Sequence, residues 1–233
     1  MLAIYKKELR QYFNSIMGYV FISMFLLICG IIFLIANLIS QNSDIKIFFA
    51  NILTVIIFLI PIITMRSFSE EKKIKTEQLL LTAPVSLQGI VIGKYLAALT
   101  MFGLGMVVTL AFPVIIAYFG TFDLLVTVGN YLGIITAVAA FIAIGIFISA
   151  LTESQVVAAV LSYCVLFGLQ IIGSMRTQFT GVGRSIVDFI SFSQKFQEFT
   201  FGIFNPASVI YYVSIIAIFL FLTVRILEQR RWN

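Results

Sequence analysis

The sequence contains no histidine, two cysteines, four prolines and one tryptophan, and charged residues fill only 11% of its 233 positions. Without histidine there is no imidazole metal ligand, no Ser–His or Cys–His nucleophile pair and no imidazole pH switch. Cys29 and Cys164 sit in long apolar runs without Cys-x-x-Cys spacing. They read as small buried hydrophobes rather than a disulfide or a metal pair. The scarcity of charge excludes more. A soluble domain carries about 25% charged and about 45–50% apolar residues, whereas 61% of this chain is apolar. A globule of this length has too little interior for so many apolar side chains, so much of its surface must be apolar too. Lipid is the natural solvent for such a surface. A soluble chain and a disordered one are both excluded.

What the chain does have is six runs near the about 20 residues that a bilayer core demands of a helix. They are Met17–Ile39, Ile47–Met65, Tyr95–Phe119, Tyr131–Leu151, Ser154–Met175 and Ala207–Val224. None holds an Asp, Glu, Lys or Arg, and none alternates as a barrel strand would. The expected fold is an all-α membrane protein with six transmembrane helices. No small-x-small cleavage site follows the first run promptly, so it is expected to stay as the first helix. The net charge of +5 is scattered between apolar runs, which speaks for topology and against nucleic acid. Lys6, Lys7, Arg10, Arg66, Lys72, Lys73, Lys75, Lys94, Arg225, Arg230 and Arg231 share one side, leaving Lys46, Arg176, Arg184 and Lys195 on the other. The positive-inside rule then puts both termini and the loop Arg66–Lys94 in the cytoplasm.

The connecting segments carry the remaining pattern. In residues 1–16, Leu2, Tyr5, Leu9, Tyr12 and Ile16 share one helical face, with Lys6, Arg10 and Asn14 beside it. A basic amphipathic helix of this kind lies in the membrane interface, its cations Lys6, Lys7 and Arg10 near anionic headgroups. In the loop after the second run, Glu70–Lys73 and Glu71–Lys75 have the spacing of helical ion pairs, so that span is expected to continue into the cytoplasm. Thr76 is placed to cap a short helix bearing Leu79, Leu80 and Leu81, which Pro84 ends, and Ser86 to cap the third span. Three leucines exposed in water are costly unless something covers them. A docking surface for a soluble partner accounts for them; a merely solvated loop does not. Thr152-Glu153-Ser154 makes a tight turn. In the outer segment 176–205, Phe189, Phe192, Phe196, Phe199 and Ile203 form an aromatic stripe, expected to lie in the outer leaflet. Asn205-Pro206 starts the last span.

Catalytic motifs fail on inspection. Gly89-x-x-x-Gly93-Lys94 is one residue short of a phosphate-binding loop and lacks its Ser/Thr. Gly89 and Gly93 are expected to permit close helix packing, as are Gly103 and Gly105. No span holds paired carboxylates, and no ionisable group sits at a midplane to bind a coupling ion. Pro61 and Pro113 are expected to kink spans two and three. No metal site is read here, and the chain is not expected to be an enzyme. Hydroxyl and amide residues within the spans, Asn51 and Thr54 among them, are expected chiefly to bond between helices.

The stretch SEEKKIKTEQLLLTAPVS (Ser69–Ser86) resembles the E-E-x-x-x-G-T-x-E-L-L-L-T-x-P-V-S signature of type-2 ABC exporter permeases. YKKELRQYFNS (Tyr5–Ser15) and ISALTESQVVAAVLSY (Ile148–Tyr163) are similar to the branch containing gliding-motility-associated permeases. Lys75 stands where that family usually has glycine, and Gln78 replaces a common leucine or glutamate. The resemblance implies a single transmembrane domain over 1–233: interfacial helix 1–16, spans one to five in 17–175 with a coupling loop at 66–94, outer re-entrant or amphipathic helices at 176–205, then span six and its tail at 206–233. It implies that Glu70, Glu71, Thr76, Glu77, Leu79, Leu80, Leu81 and Pro84 form a coupling helix docking on a separate ATP-binding subunit. That partner would hold ATP and Mg, with no cofactor on this chain. Phe189, Phe192, Phe196 and Phe199 would belong to an outer gate. Two such halves, a homodimer or a pair with a similar permease, would meet through the first and fifth spans in the bacterial cytoplasmic membrane, with room for an extracytoplasmic membrane-anchored subunit. The expected function is ATP-driven export of a substrate the sequence does not name; the alternatives are a scaffold recruiting an ATPase and an ATP-independent channel.

Overall fold

The computed structural model describes residues 1–78, 85–120, 123–175, 187, 191–202 and 205–232. Among these, every regular element is helical. In chain order they are α1 (Leu2–Asn14), α2 (Ile16–Phe33), a π-helical turn (Leu34–Ile39), α3 (Ile45–Thr64), α4 (Arg66–Lys73), α5 (Leu87–Thr109), α6 (Ala111–Phe119), α7 (Leu124–Leu151), α8 (Gln155–Ser174), α9 (Phe192–Thr200) and α10 (Pro206–Trp232). Joined where they run on, they give six helices long and apolar enough to cross a membrane. Six crossings bring both termini to one end of the bundle. That end also carries α4 and the starts of α5 and α8, and is called the basic end below.

α7 is the mast of the bundle. Its most apolar stretch is 78% buried within the chain, against 22% for the corresponding stretches of α2, α8 and α10. Apolar side chains do not drive helices together in lipid, so close backbone approach at small residues has to do so. α7 supplies Ala137, Ala139, Ala140, Ala143 and Ala150, all buried, and two glycine notches. A Cβ on Gly145 would stand 2.3 Å from Thr64 Oγ1 of α3, and one on Gly133 would stand 2.7 Å from Phe199 Cβ of α9.

Local signals behave as their chemistry dictates. Ser86 Oγ accepts from the Gly89 amide at 3.2 Å and starts α5. Asn205 Oδ1 accepts from Ala207 at 3.0 Å, with Pro206 the first residue of α10. Thr152-Glu153-Ser154 joins α7 to α8. Pro113 has no amide proton for the Thr109 carbonyl four residues back. The helix is interrupted at Leu110, and Tyr131 Oη of α7 donates to that stranded carbonyl at 2.9 Å. Pro61, by contrast, lies inside α3 without ending it.

Several expectations are corrected. Gly89, Gly93 and Gly105 face neighbouring atoms within 3.4 Å of an added Cβ, but Gly103 faces open space. Cys29 is buried, whereas Cys164 is exposed on the apolar surface. The packed face of α1 is turned relative to the Leu2–Ile16 stripe: Ile4 and Glu8 are buried, while Leu2 and Ile16 are 67% and 82% exposed. The cause is the glycine groove of α5, where Ile4 Cβ would stand 3.1 Å from a Cβ on Gly93. Ser15, in extended conformation, then turns the chain into α2.

Candidate functional site

At the basic end three helices meet on one buried charge. Lys94, near the start of α5, is 2% exposed. Its ammonium donates to Glu8 Oε1 of α1 at 2.9 Å and to the Ser67 carbonyl of α4 at 2.6 Å. It also stands 2.9 Å from Glu71 Oε2, off the angle of a hydrogen bond, so that contact is charge against charge. The Phe68 ring lies 5.0 Å from it. Lys7 completes the set by donating to Glu71 Oε1 at 3.0 Å. Two carboxylates face two ammonium groups, so the cluster is neutral, as burial requires. Burial alone would depress the Lys7 pKa; the hydrogen bond and charge of Glu71, with Glu8 behind it, outweigh burial and raise it.

The junction between α3 and α4 is held from two further sides. Ser149 Oγ of α7 accepts from the amides of Phe68 and Ser69 at 3.0 and 3.2 Å and donates to the Met65 carbonyl at 3.0 Å. One hydroxyl thus caps the start of α4 and the end of α3. Tyr12 Oη of α1 donates to the Ile63 carbonyl at 3.2 Å, and burial raises the pKa of this phenol. Lys72, also buried, donates to the Ala150 carbonyl in the last turn of α7, where a cation opposes the helix dipole.

α4 ends in a Schellman motif. The Lys75 amide donates to the Lys72 carbonyl and the Thr76 amide to the Glu71 carbonyl, at 3.0 and 2.9 Å. Lys75 takes the left-handed position, with φ of 59°, which glycine normally fills.

The expected pairs Glu70–Lys73 and Glu71–Lys75 are not formed, because α4 stops at Lys73 and stronger partners intervene. Glu70 receives a bidentate bond from Arg66 at 2.7 and 2.8 Å. Glu71 is buried against Lys94 and Lys7, so its carboxylate is not offered to a soluble partner. Thr76 and Glu77 follow, both half-buried, with Arg230 of α10 reaching 3.5 Å from Glu77 Oε1. Leu79, Leu80, Leu81 and Pro84 lie outside the described residues. Lys6 and Arg10 are exposed on α1. The sequence does not single out Glu8, and Lys94 enters there as a topology marker and in the rejected phosphate-loop motif. The available signal was a lone acid on a basic helix and a lone cation opening an apolar run.

At the far end the aromatic stripe faces protein, not the outer leaflet. Phe192, Phe196 and Phe199 are all buried; Phe189 lies outside the described residues. Phe192 packs 5.0 Å from the Phe141 ring, and Tyr212 Oη donates to the Phe192 carbonyl at 3.0 Å. The notch at Gly133 and the ring of Tyr212 give the stripe a covering that its spacing alone does not reveal.

A third feature lies on the outer surface of the spans. Asn51, Thr54 and Phe58 form an exposed stripe on α3, and α8 sets Tyr163 and Phe167 beside it. Asn51 Nδ2 donates to the Ile47 carbonyl of its own helix at 2.7 Å, so it makes no bond between helices there. Tyr163 Oη donates to the Phe58 carbonyl at 2.9 Å, and the Phe58 and Phe167 rings meet edge-on at 4.6 Å.

A family model described as ABC-2 family transporter protein matches residues 9–228. No curated protein matches the chain.

Proposed function

Because the chain belongs to the ABC-2 transporter family, as a multi-pass membrane permease subunit, we propose that it is one half of an ATP-driven exporter. Such subunits generally work with a separate ATP-binding subunit, and this one meets it at Thr76–Pro84, with the basic end in the cytoplasm. One observation carries the reading. The segment leading to the docking residues is not a slack loop: α4 is tied at Lys94 to α1 and α5, and at Ser149 to α7. A push on residues 76–84 therefore enters all four helices.

The polar stripe of α3 and α8 supports a second half. Asn51 and Thr54 facing lipid would be costly, and a facing permease with a pathway between the two removes that cost. This reading shifts the meeting surface from spans one and five to spans two and five. The gliding-motility resemblance adds only the branch, and the buried Phe192, Phe196 and Phe199 serve as the closed state of an outer gate.

Leu80→Asp tests the docking. The variant should insert and fold as the parent does but lose its ATP-binding partner in pull-downs; undiminished recovery of the ATPase rejects the docking site. In liposomes, ATP turnover coupled to loss of cargo from the side of ATP addition supports export, whereas turnover without any movement supports the scaffold.

A further inference from the structure

Lys7 stands at the shoulder of α1 and borders two grooves. One is the cleft against α4, where Glu71 holds its ammonium at 3.0 Å. The other is an open groove of ≈ 440 Å³ along the outward side of α1, which it shares with Lys6, Arg10, Gln11 and Asn14. At helical spacing Lys6 and Arg10 lie across the helix from buried Ile4 and Glu8. Both are exposed, and among the described residues neither forms an ion pair. The same outward side carries Leu2 and Phe13, 67% and 40% exposed. Phe13 meets Tyr19, 60% exposed, edge-on at 6.4 Å.

We propose that this face docks an anionic phospholipid: Lys6 and Arg10 take its phosphate, and its acyl chains lie along Phe13 and Tyr19. Lys7 is shared between that phosphate and Glu71. Cations followed along the face by the exposed Phe13 and Tyr19 rings match a molecule that is anionic at one end and apolar at the other. A soluble phosphate has no use for Leu2, Phe13 or Tyr19. Charge arithmetic gives the docking a consequence. When Lys7 turns to the phosphate, Glu71 keeps Lys94 alone, and the tie between α1 and α4 drops from two ammonium groups to one. The lipid around the chain thereby sets how firmly the docking segment is held. Which leaflet supplies the lipid rests on the placement of the basic end in the cytoplasm; retention in detergent does not.

The full chain, purified in neutral detergent, is offered phosphatidylglycerol or phosphatidylcholine, and retained lipid is counted by native mass spectrometry. Phosphatidylglycerol should be retained preferentially, weakened about fivefold for each cation removed in Lys6→Gln and Arg10→Gln. Lys7→Gln should weaken it too, whereas Glu71→Gln, which frees Lys7, should strengthen it. Should Glu71→Gln not fold, Glu71→Asp, whose shorter reach also loosens Lys7, must move retention the same way. Equal retention of the two lipids, or indifference to Lys6→Gln and Arg10→Gln, overturns the site. Displacement by soluble glycerol phosphate at matched concentration overturns the lipid as its occupant. Unchanged retention in the Glu71 variants overturns the sharing of Lys7. Orientation is checked separately in membranes with an impermeant thiol reagent on Lys73→Cys in a Cys164→Ser background, so its failure would be seen by itself.

Discussion

A lysine ammonium buried at the head of an apolar helix is tolerable only while its carboxylates are in place. Lys94→Met removes the cation but leaves Glu8 and Glu71 buried with little besides Lys7, and breaking a buried pair costs about 3–5 kcal/mol. Thermal unfolding in detergent should show that loss, and the triple variant Lys94→Met, Glu8→Leu, Glu71→Leu should recover much of it. A triple variant no better than Lys94→Met would mean the loss comes from packing, not charge. Lys75 tests the opposite direction. It occupies a left-handed position that costs a side chain about 1 kcal/mol, so Lys75→Gly should stabilise the end of α4, by somewhat less than that because glycine gains freedom in the unfolded chain. The raised pKa of Lys7 gives a sign for pH. Its contribution is fully present below the ordinary lysine value and is lost only as pH climbs through the higher folded value. The stability difference between the parent and Lys7→Gln should therefore be flat from neutrality to about pH 9.

Helices rather than residues decide what the sequence discloses. Six spans, the Ser86 and Asn205 caps and the turn at Thr152–Ser154 follow from short-range chemistry, and a single chain displays all of it. The interruption before Pro113 was legible for the same reason, since a missing amide proton is a property of one residue. Its remedy was not, because Tyr131 lies on another helix. A double-mutant cycle makes the point measurable: Tyr131→Phe should cost about 1–2 kcal/mol in the parent, by leaving the Thr109 carbonyl unpaired. It should cost clearly less beside Pro113→Ala, where residue 113 supplies the missing donor. Equal costs in both backgrounds would detach the tyrosine from the proline. The rotation of α1 escaped for a similar reason. Periodicity gives a helix a face, but the partner groove, here at Gly89 and Gly93, chooses where that face points.

At the scale of the molecule, composition alone foretold a lipid-facing surface, yet could not say which polar residues would share it. Asn51 reads identically whether it bonds to a neighbour or looks outward, and only the placement of α3 beside α8 separates the two. The outer aromatic stripe makes the same case in reverse, since its spacing suits a leaflet and a protein notch equally. Its burial turns it into a reporter. In a Cys164→Ser background, Phe196→Cys should be shielded from an impermeant thiol reagent in the nucleotide-free complex and become reactive when ATP binds. Shielding in both states would make α9 a fixed plug and place the gate elsewhere.

Both carboxylates that neutralise Lys94 precede it in the chain. Glu8 and Glu71 have therefore already left the ribosome when α5 emerges, and the lysine meets its counter-charges as soon as it arrives. Vectorial synthesis thus lets α1, α4 and α5 close on one another before the mast α7 exists, sparing the nascent chain an unpaired charge at the membrane boundary. The contact of Arg230 with Glu77 has the reverse timing, because it waits for α10 to be made. A nascent chain in which α5 and α6 have emerged should already hold α1, α4 and α5 together at Lys94. The ties of α4 to Ser149 and Ala150 and the contact of Glu77 with Arg230 follow as α7 and α10 are made.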